Sequence, residues 1–198
     1  MRKPNNYDNT QASGDFTPIE LGGHYMVVKQ VKEAKSKTGK DMIVVCFDFD
    51  KSDRQPGYFM DSFKNDIRPD KKWPRGGTQY IVTEMDDGNC SRSFKTFITC
   101  VEKSNPGFAV QWTDTAAFEA QFKNKKIGGV FGIVENEYQG KTTDRHELRW
   151  FCQLDRVKDA KVPDRKALTN SNVTKAAPKK DDGFMDIPDD IDGEIPFG

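Results

Sequence analysis

Apolar and polar positions alternate most clearly from His24 to Lys32, with Tyr25, Val27 and Val31 on one face and Met26, Val28 and Gln30 on the other. A period of two over this length predicts a half-buried strand. A second strand is expected over Asp41–Asp50, which is rich in Ile, Val and Phe. Between the two, Lys35–Lys40 is a basic turn in which Gly39 can take a positive φ, so the pair predicts a hairpin. A third strand is expected over Gly57–Phe63, after the Pro56-Gly57 turn. It is followed by an insertion holding Trp73, Pro74, Arg75, Gly76 and Gly77 and then Thr78–Thr83.

The period then changes. Phe94, Phe97, Ile98 and Val101 fall at i, i+3, i+4 and i+7, which predicts a helix capped by Ser91 or Ser93 and ended by Asn105-Pro106-Gly107. Its apolar stripe is read as a plug against the strands. A shorter helix over Thr115–Lys123 would pair Phe118 with Phe122. Two long strands, Gly129–Tyr138 and Asp144–Val157, joined by Gln139-Gly140-Lys141, make a second hairpin. Beyond Val157 the apolar pattern stops.

Five strands with a helix between the third and fourth predict a mainly β chain folded as a five-stranded OB-fold barrel, whose exposed strand face binds oligonucleotides. An SH3-like barrel would not need a helix there. Residues 1–18 are expected to form a flexible N-terminal arm and 19–160 the barrel. Residues 161–180 are read as a polar linker too poor in apolar surface to repay ordering, and 181–198 as a disordered acidic tail.

The chain has 198 residues, 35% of them hydrophobic, with 14 Phe, which suffices for one core and leaves little room for a second. Lys+Arg and Asp+Glu both total 31, but the charge is unevenly placed. Residues 181–198 hold seven acidic residues and no basic ones, leaving 31 basic against 24 acidic over residues 1–180. That asymmetry fits a nucleic-acid-binding body with an acidic appendage. Met1–Thr10 is polar with no apolar stretch after it, so a secretory signal is not expected. No run is long enough to cross a membrane. Cys46, Cys90, Cys100 and Cys152 are widely separated, and only His24 and His146 supply imidazole. These features are read as a reduced cytoplasmic protein without metal or cofactor.

The end of the sequence carries the most specific motif. Asp189, Asp190, Asp192 and Glu194 lead into Ile195, Pro196 and Phe197, a charged leader followed by a compact apolar anchor. A tail kept for solubility alone has no use for Ile195 or Phe197. The motif resembles the acidic tip of bacterial-type single-stranded-DNA-binding proteins. That resemblance implies docking of replication, recombination and repair proteins through a basic-rimmed hydrophobic pocket. Here Gly198 follows Phe197, whereas in that family the Phe itself bears the terminal carboxylate. An inner near-copy, Met185-Asp186-Ile187-Pro188, offers a second docking segment. The body resembles phage-encoded single-stranded-DNA-binding proteins in three pieces: the Gly22-Gly23-His24-Tyr25 strand start, the Ser36-Lys37-Thr38-Gly39-Lys40 turn and the Phe94–Val101 helix.

Binding a single strand without reading its sequence needs flat rings for the bases and cations for the phosphates. The hairpin turn supplies Lys35, Lys37 and Lys40. Four further clusters qualify: Tyr58 and Phe59 beside Lys64; Trp73 and Tyr80 around Arg75 with Lys71 and Lys72; Tyr138 before Lys141; and Trp150 beside Arg149 and Arg145. Phe47, Phe49, Phe131 and Phe151 lie in dense apolar strands and are assigned to the core or to strand faces without a ligand role. Trp73, in Lys-Lys-Trp-Pro-Arg-Gly-Gly, sits in a context too polar for a core strand and is read as a ligand contact.

Catalytic readings fare worse. Ala34–Asp41 has the Gly39-Lys40 of a phosphate loop but lacks its leading Gly and its Ser/Thr, and His146-Glu147 begins a zinc-protease motif whose second His would be Trp150. The sequence therefore predicts a non-enzymatic protein that coats single-stranded DNA during phage replication, recombination or repair and recruits partners through its tail. An adaptor whose barrel binds another protein is the alternative. A metal-dependent nuclease using Asp48, Asp50 or Glu135 ranks last.

Overall fold

Two apolar strands joined by a short basic turn form the expected hairpin. In the computed structural model, which describes residues 2–5, 7, 17–66, 68–138 and 141–168, β1 spans Gly22–Lys35 and β2 spans Asp41–Phe49. They pair antiparallel from Lys35 opposite Asp41 to Met26 opposite Phe49, with an irregularity between Val28 and Gln30. The turn closes on itself, since Ser36 N–H donates to the Lys40 carbonyl and Lys40 N–H to the Ser36 hydroxyl.

The Gly57–Phe63 stretch corrects the sequence reading: it is not a strand but the helix α1 (Tyr58–Asn65). Phe59 and Phe63 satisfy a period of two and a helical i, i+4 spacing equally. What decides is the start of the helix. Gly57 takes a positive φ of 71°, and the buried Asp48 carboxylate accepts from the Phe59 amide at 2.9 Å, supplying a partner that a helix start otherwise lacks. The third strand is instead β3 (Thr78–Val82), which pairs antiparallel with β2 from Cys46–Thr78 to Met42–Val82.

The main helix, α2 (Arg92–Ser104), is capped as predicted, by Ser91, whose hydroxyl accepts from the Phe94 amide at 3.1 Å. A shorter helix, α3 (Thr115–Ala120), follows. The long second hairpin consists of β4 (Lys126–Tyr138) and β5 (Lys141–Cys152). Beyond Cys152 the chain stays attached to the second hairpin. Lys166 bridges Val134 in parallel, and Arg165 pairs with Glu135 at 2.9 Å and Asp144 at 2.7 Å. Contacts with the sheet thus continue to Leu168, whose amide donates to Glu135 at 3.1 Å.

The sheet is antiparallel and ordered β3-β2-β1-β4-β5, with β3 and β5 at its edges. No ladder joins them among the described residues, so the expected closed barrel is not formed. Other chain segments occupy that place. A 3-10 turn, Arg75–Gly77, packs against β2, β3 and β5. Beside it, Thr17–Glu20 is tied in from both sides: Tyr58 Oη donates to the Thr17 carbonyl, Gln55 Nε2 to the Pro18 carbonyl, and His146 Nδ1 contacts the Ile19 carbonyl. Ile19 is buried there.

One aromatic core fills the inside of the curved sheet. The Phe47 ring meets Phe59, Phe131 and Phe151 with centroids 5.7, 6.3 and 6.1 Å away, and Phe97 of α2 meets Phe151 at 5.2 Å. Phe47, Phe49, Phe131 and Phe151 are all buried, as assigned. Among the described residues no helix is long and apolar enough to cross a membrane.

Candidate nucleic-acid interface

Directly opposed residues of antiparallel strands share a face. Lys32 opposes Val44 and Val44 opposes Tyr80, so an ammonium, a small apolar side chain and a phenol ring form one row across β1, β2 and β3. Neighbouring rows are Gln30, Cys46, Thr78 and Ala34, Met42, Val82. This is the face away from Phe47; Tyr80 is half-buried on it, and Met42, Val44 and Cys46 of β2 are buried beneath their neighbours. From Thr78 to Val82 the face runs roughly 13 Å along the strand.

Cations stand at both ends of this face. At the Val82 end lies the basic hairpin turn, where Lys35 pairs with Asp41 and Lys40 with Asp86, each at 2.7 Å, and Lys37 is exposed. At the Thr78 end, Lys72 and Arg75 are exposed on the segment that leads into β3. Lys71 lies over the Phe63 ring, 4.8 Å from its centroid, and Lys64 is exposed on α1. Lys32 is held by Glu119 at 3.6 Å, a half-exposed pair that competing phosphate could replace at small cost.

Two rings proposed as platforms lie in the core instead. Trp73 is 6% exposed and Phe59 2%. The Trp73 indole donates to the Gly77 carbonyl at 3.0 Å and its ring tilts against Phe63, so the polar neighbours in the sequence surround a side chain that points inward. Tyr58 is half-buried against Phe49 and donates its hydroxyl to Thr17, and burial pushes its phenol up to about 12. Trp73 and Phe59 therefore offer no free ring face to a base.

The β4–β5 hairpin carries the remaining candidates. Trp150 is 46% exposed, in a row with Val130 and Gly23. Arg149 donates to the Asp164 carbonyl at 3.0 Å, fixing the C-terminal segment. Arg145 opposes Val134, and Lys141, exposed, opposes Tyr138 at the hairpin end. This group sits on the other edge strand, beside the Arg75–Gly77 turn that separates it from β3. The docking residues Asp189, Asp190, Asp192, Glu194, Ile195, Pro196 and Phe197 lie outside the described residues.

The carboxylates considered for a nuclease each have a protein partner. Asp48 accepts from the amides of Phe49 and Phe59, Asp50 from Ser52, and Glu135 pairs with Arg165. Burial pushes the thiols of Cys46, Cys100 and Cys152 up to about 11, which keeps them protonated and poorly nucleophilic near neutrality.

One aromatic residue escaped the sequence reading. Trp112, between Val110 and α3, is 69% exposed, yet its ring stacks on Phe118 at 5.7 Å and meets Phe94 at 6.2 Å. Its setting, Gln111-Trp112-Thr113-Asp114, is as polar as that of Trp73 and could have drawn attention on the same ground.

No protein-family profile matches the chain, and no curated protein matches it.

Proposed function

We propose that this protein binds single-stranded DNA without sequence preference on the outer face of β1–β3, as a non-enzymatic coat in phage-type replication, recombination or repair. The observation that carries the reading is the Lys32–Val44–Tyr80 row set between the hairpin lysines and the Lys72–Arg75 shoulder. A ring at mid-face with cations at both ends is the arrangement that stacking plus phosphate contact requires.

The strand order fits an OB-type Greek key opened along the line between β3 and β5, with α2 between the third and fourth strands. In that reading the Thr17–Glu20 segment and the Arg75–Gly77 turn take the place of the closing ladder. The acidic tail is assigned to partner docking, with Ile195, Pro196 and Phe197 as the anchor and the preceding carboxylates as the long-range attraction.

The test is anisotropy of a labelled dT oligonucleotide titrated with the full chain at two salt concentrations, beside duplex of the same length. Tight, salt-sensitive binding of the single strand with weak duplex binding is the expected result. Absence of single-strand binding at low salt, with and without residues 181–198, overturns it and favours the adaptor.

A further inference from the structure

Trp112 is held in place although it is exposed. Phe118, itself buried, covers one face of the indole at 5.7 Å and 23° between planes, and Phe94 meets it at 64°. The backbone beneath is clamped from two sides. Gln121 accepts from the Gln111 amide at 2.8 Å and donates to the Gln111 carbonyl at 2.9 Å, while Glu102 accepts from the Val110 amide at 3.0 Å. A large ring fixed on one face and open on the other is pre-organised for a flat ligand, because little freedom remains to be lost on binding.

Trp112 lines a cavity of about 540 Å³, with Phe94 and Ile98 of α2 as apolar walls and Thr83, Glu84 and Lys95 as a polar rim. The walls suit a flat apolar surface, and the rim supplies hydrogen-bonding groups at its edge. The first turn of α2 carries no acidic residue, and Arg92 and Lys95 are both exposed there. Among the described residues neither has an ion-pair partner. A flat ligand bearing negative charge beside it matches this combination, and a neutral apolar one would leave both cations unused.

The cavity lies just past the Val82 end of β3, on the Phe47 side of the sheet, where Ile81 and the α2 residues Phe94 and Ile98 pack. Ser91 Oγ donates to the Val82 carbonyl, the Thr83 amide donates to the Asp41 carbonyl at 2.9 Å, and Lys40 of the hairpin turn pairs with Asp86 next to the rim. Thr83 lies three residues after Tyr80, roughly 10 Å along an extended chain. A strand leaving Tyr80 past the hairpin lysines would reach the Trp112 cavity by turning round this end of β3.

We propose that this cavity is a nucleobase subsite: one base of a bound single strand stacks on the open face of Trp112, with its phosphate between Arg92 and Lys95. The inference rests on the single-strand-binding reading and extends it to residues that the β1–β3 face does not contain.

The experiment compares the full chain with Trp112→Ala and Trp112→Phe by anisotropy of a labelled dT oligonucleotide, with thermal melting of each variant. Loss of a stacked base predicts that Trp112→Ala weakens binding about fivefold or more, that Trp112→Phe keeps part of the affinity, and that melting changes little. Quenching of exposed indole emission by the oligonucleotide accompanies binding. Unchanged affinity in Trp112→Ala, with the wild-type chain binding normally, overturns the subsite and leaves the β1–β3 reading standing. Failure of the wild-type chain to bind removes both. Protection of Trp112 from acrylamide by a synthetic peptide of residues 184–198, with none from the oligonucleotide, overturns the subsite in favour of a peptide-docking cavity.

Discussion

The Asp48 carboxylate accepts a hydrogen bond from the Phe59 amide at 2.9 Å, joining the end of β2 to the first turn of α1. The same oxygen accepts from the Phe49 amide, also at 2.9 Å. Burial raises the Asp48 carboxyl above its ordinary range, and the amide bonds and Lys29 only partly offset that. Ionisation therefore costs more in the folded chain than in the unfolded one. The stability associated with Asp48 is full below its unfolded value, about 3.9, and declines as pH rises through the folded value. Asp48→Asn keeps an oxygen for the two amides and gives up the charge, while Asp48→Ala orphans both amides. Urea unfolding is expected to show Asp48→Ala less stable by about 1–3 kcal/mol, with the wild-type advantage over Asp48→Asn narrowing as pH rises. Equal damage from Asn and Ala at every pH would refute this account.

Asp53 titrates in the opposite direction. Burial works to raise its carboxyl, but the His24 hydrogen bond at 2.9 Å, together with the amides of Gln55 and Tyr25, holds it below the usual carboxylate range. A depressed folded value contributes stability that is present above the unfolded value and lost as pH falls through the folded one. His24 is itself buried, stacked on Phe49 at 4.3 Å, and its Nε2 lies 2.8 Å from the Glu20 carbonyl. Removing Asp53 leaves the buried Nδ1 of that imidazole without its partner. Asp53→Ala is expected to cost about 3 kcal/mol at neutral pH and to flatten the acid limb of stability below about pH 4. An acid limb identical to the wild type's would rule Asp53 out as its source.

Gly77 tests whether the Trp73 ring belongs to the core. A methyl group there would lie 2.7 Å from Phe59 Cγ, 2.7 Å from Trp73 Nε1 and 3.1 Å from the Phe47 carbonyl. The first two atoms belong to buried rings with no room to retreat, so Gly77→Ala is expected to cost about 1–3 kcal/mol. Denaturant melts would report the loss, and red-shifted tryptophan emission would report the displaced indole. A variant as stable as the wild type would mean that the ring moves freely.

Where local pattern and packing agree, the sequence reading and the structure coincide. The β1–β2 and β4–β5 hairpins, the Ser91-capped helix and the four core phenylalanines of the strands are all present. It failed where a short apolar run satisfied two periods at once, as Phe59 and Phe63 did, and a distant carboxylate on β2 chose between them. That the sheet would stay open was illegible because the segments packed beside its edges, Thr17–Glu20 and Arg75–Gly77, have no periodicity. The tryptophans show the limit of polar context as a guide. Trp73 and Trp112 both stand among polar neighbours, yet Gly77 opens a slot that admits the first to the core, while Phe118 props the second at the surface. Contacts across the fold settled the difference.

Tyr80 and the hairpin lysines separate the two forces that the proposed binding requires. Tyr80→Ala removes a ring and no charge, and its loss should weaken dT binding by about 1–3 kcal/mol without changing the salt dependence. Lys37→Ala removes a cation and no ring. Its effect should be uniform across base compositions and should lower the slope of log affinity against log salt by about one. Lys40 begins with a carboxylate partner, Asp86 at 2.7 Å, so part of any phosphate contact is offset by breaking that pair. Lys40→Ala is therefore expected to lower the slope by less than one. Titrations at four or more salt concentrations distinguish these outcomes. If Tyr80→Ala alters the slope while Lys37→Ala does not, the ring and the cations have been assigned the wrong roles, and the β1–β3 face is not the path of the strand.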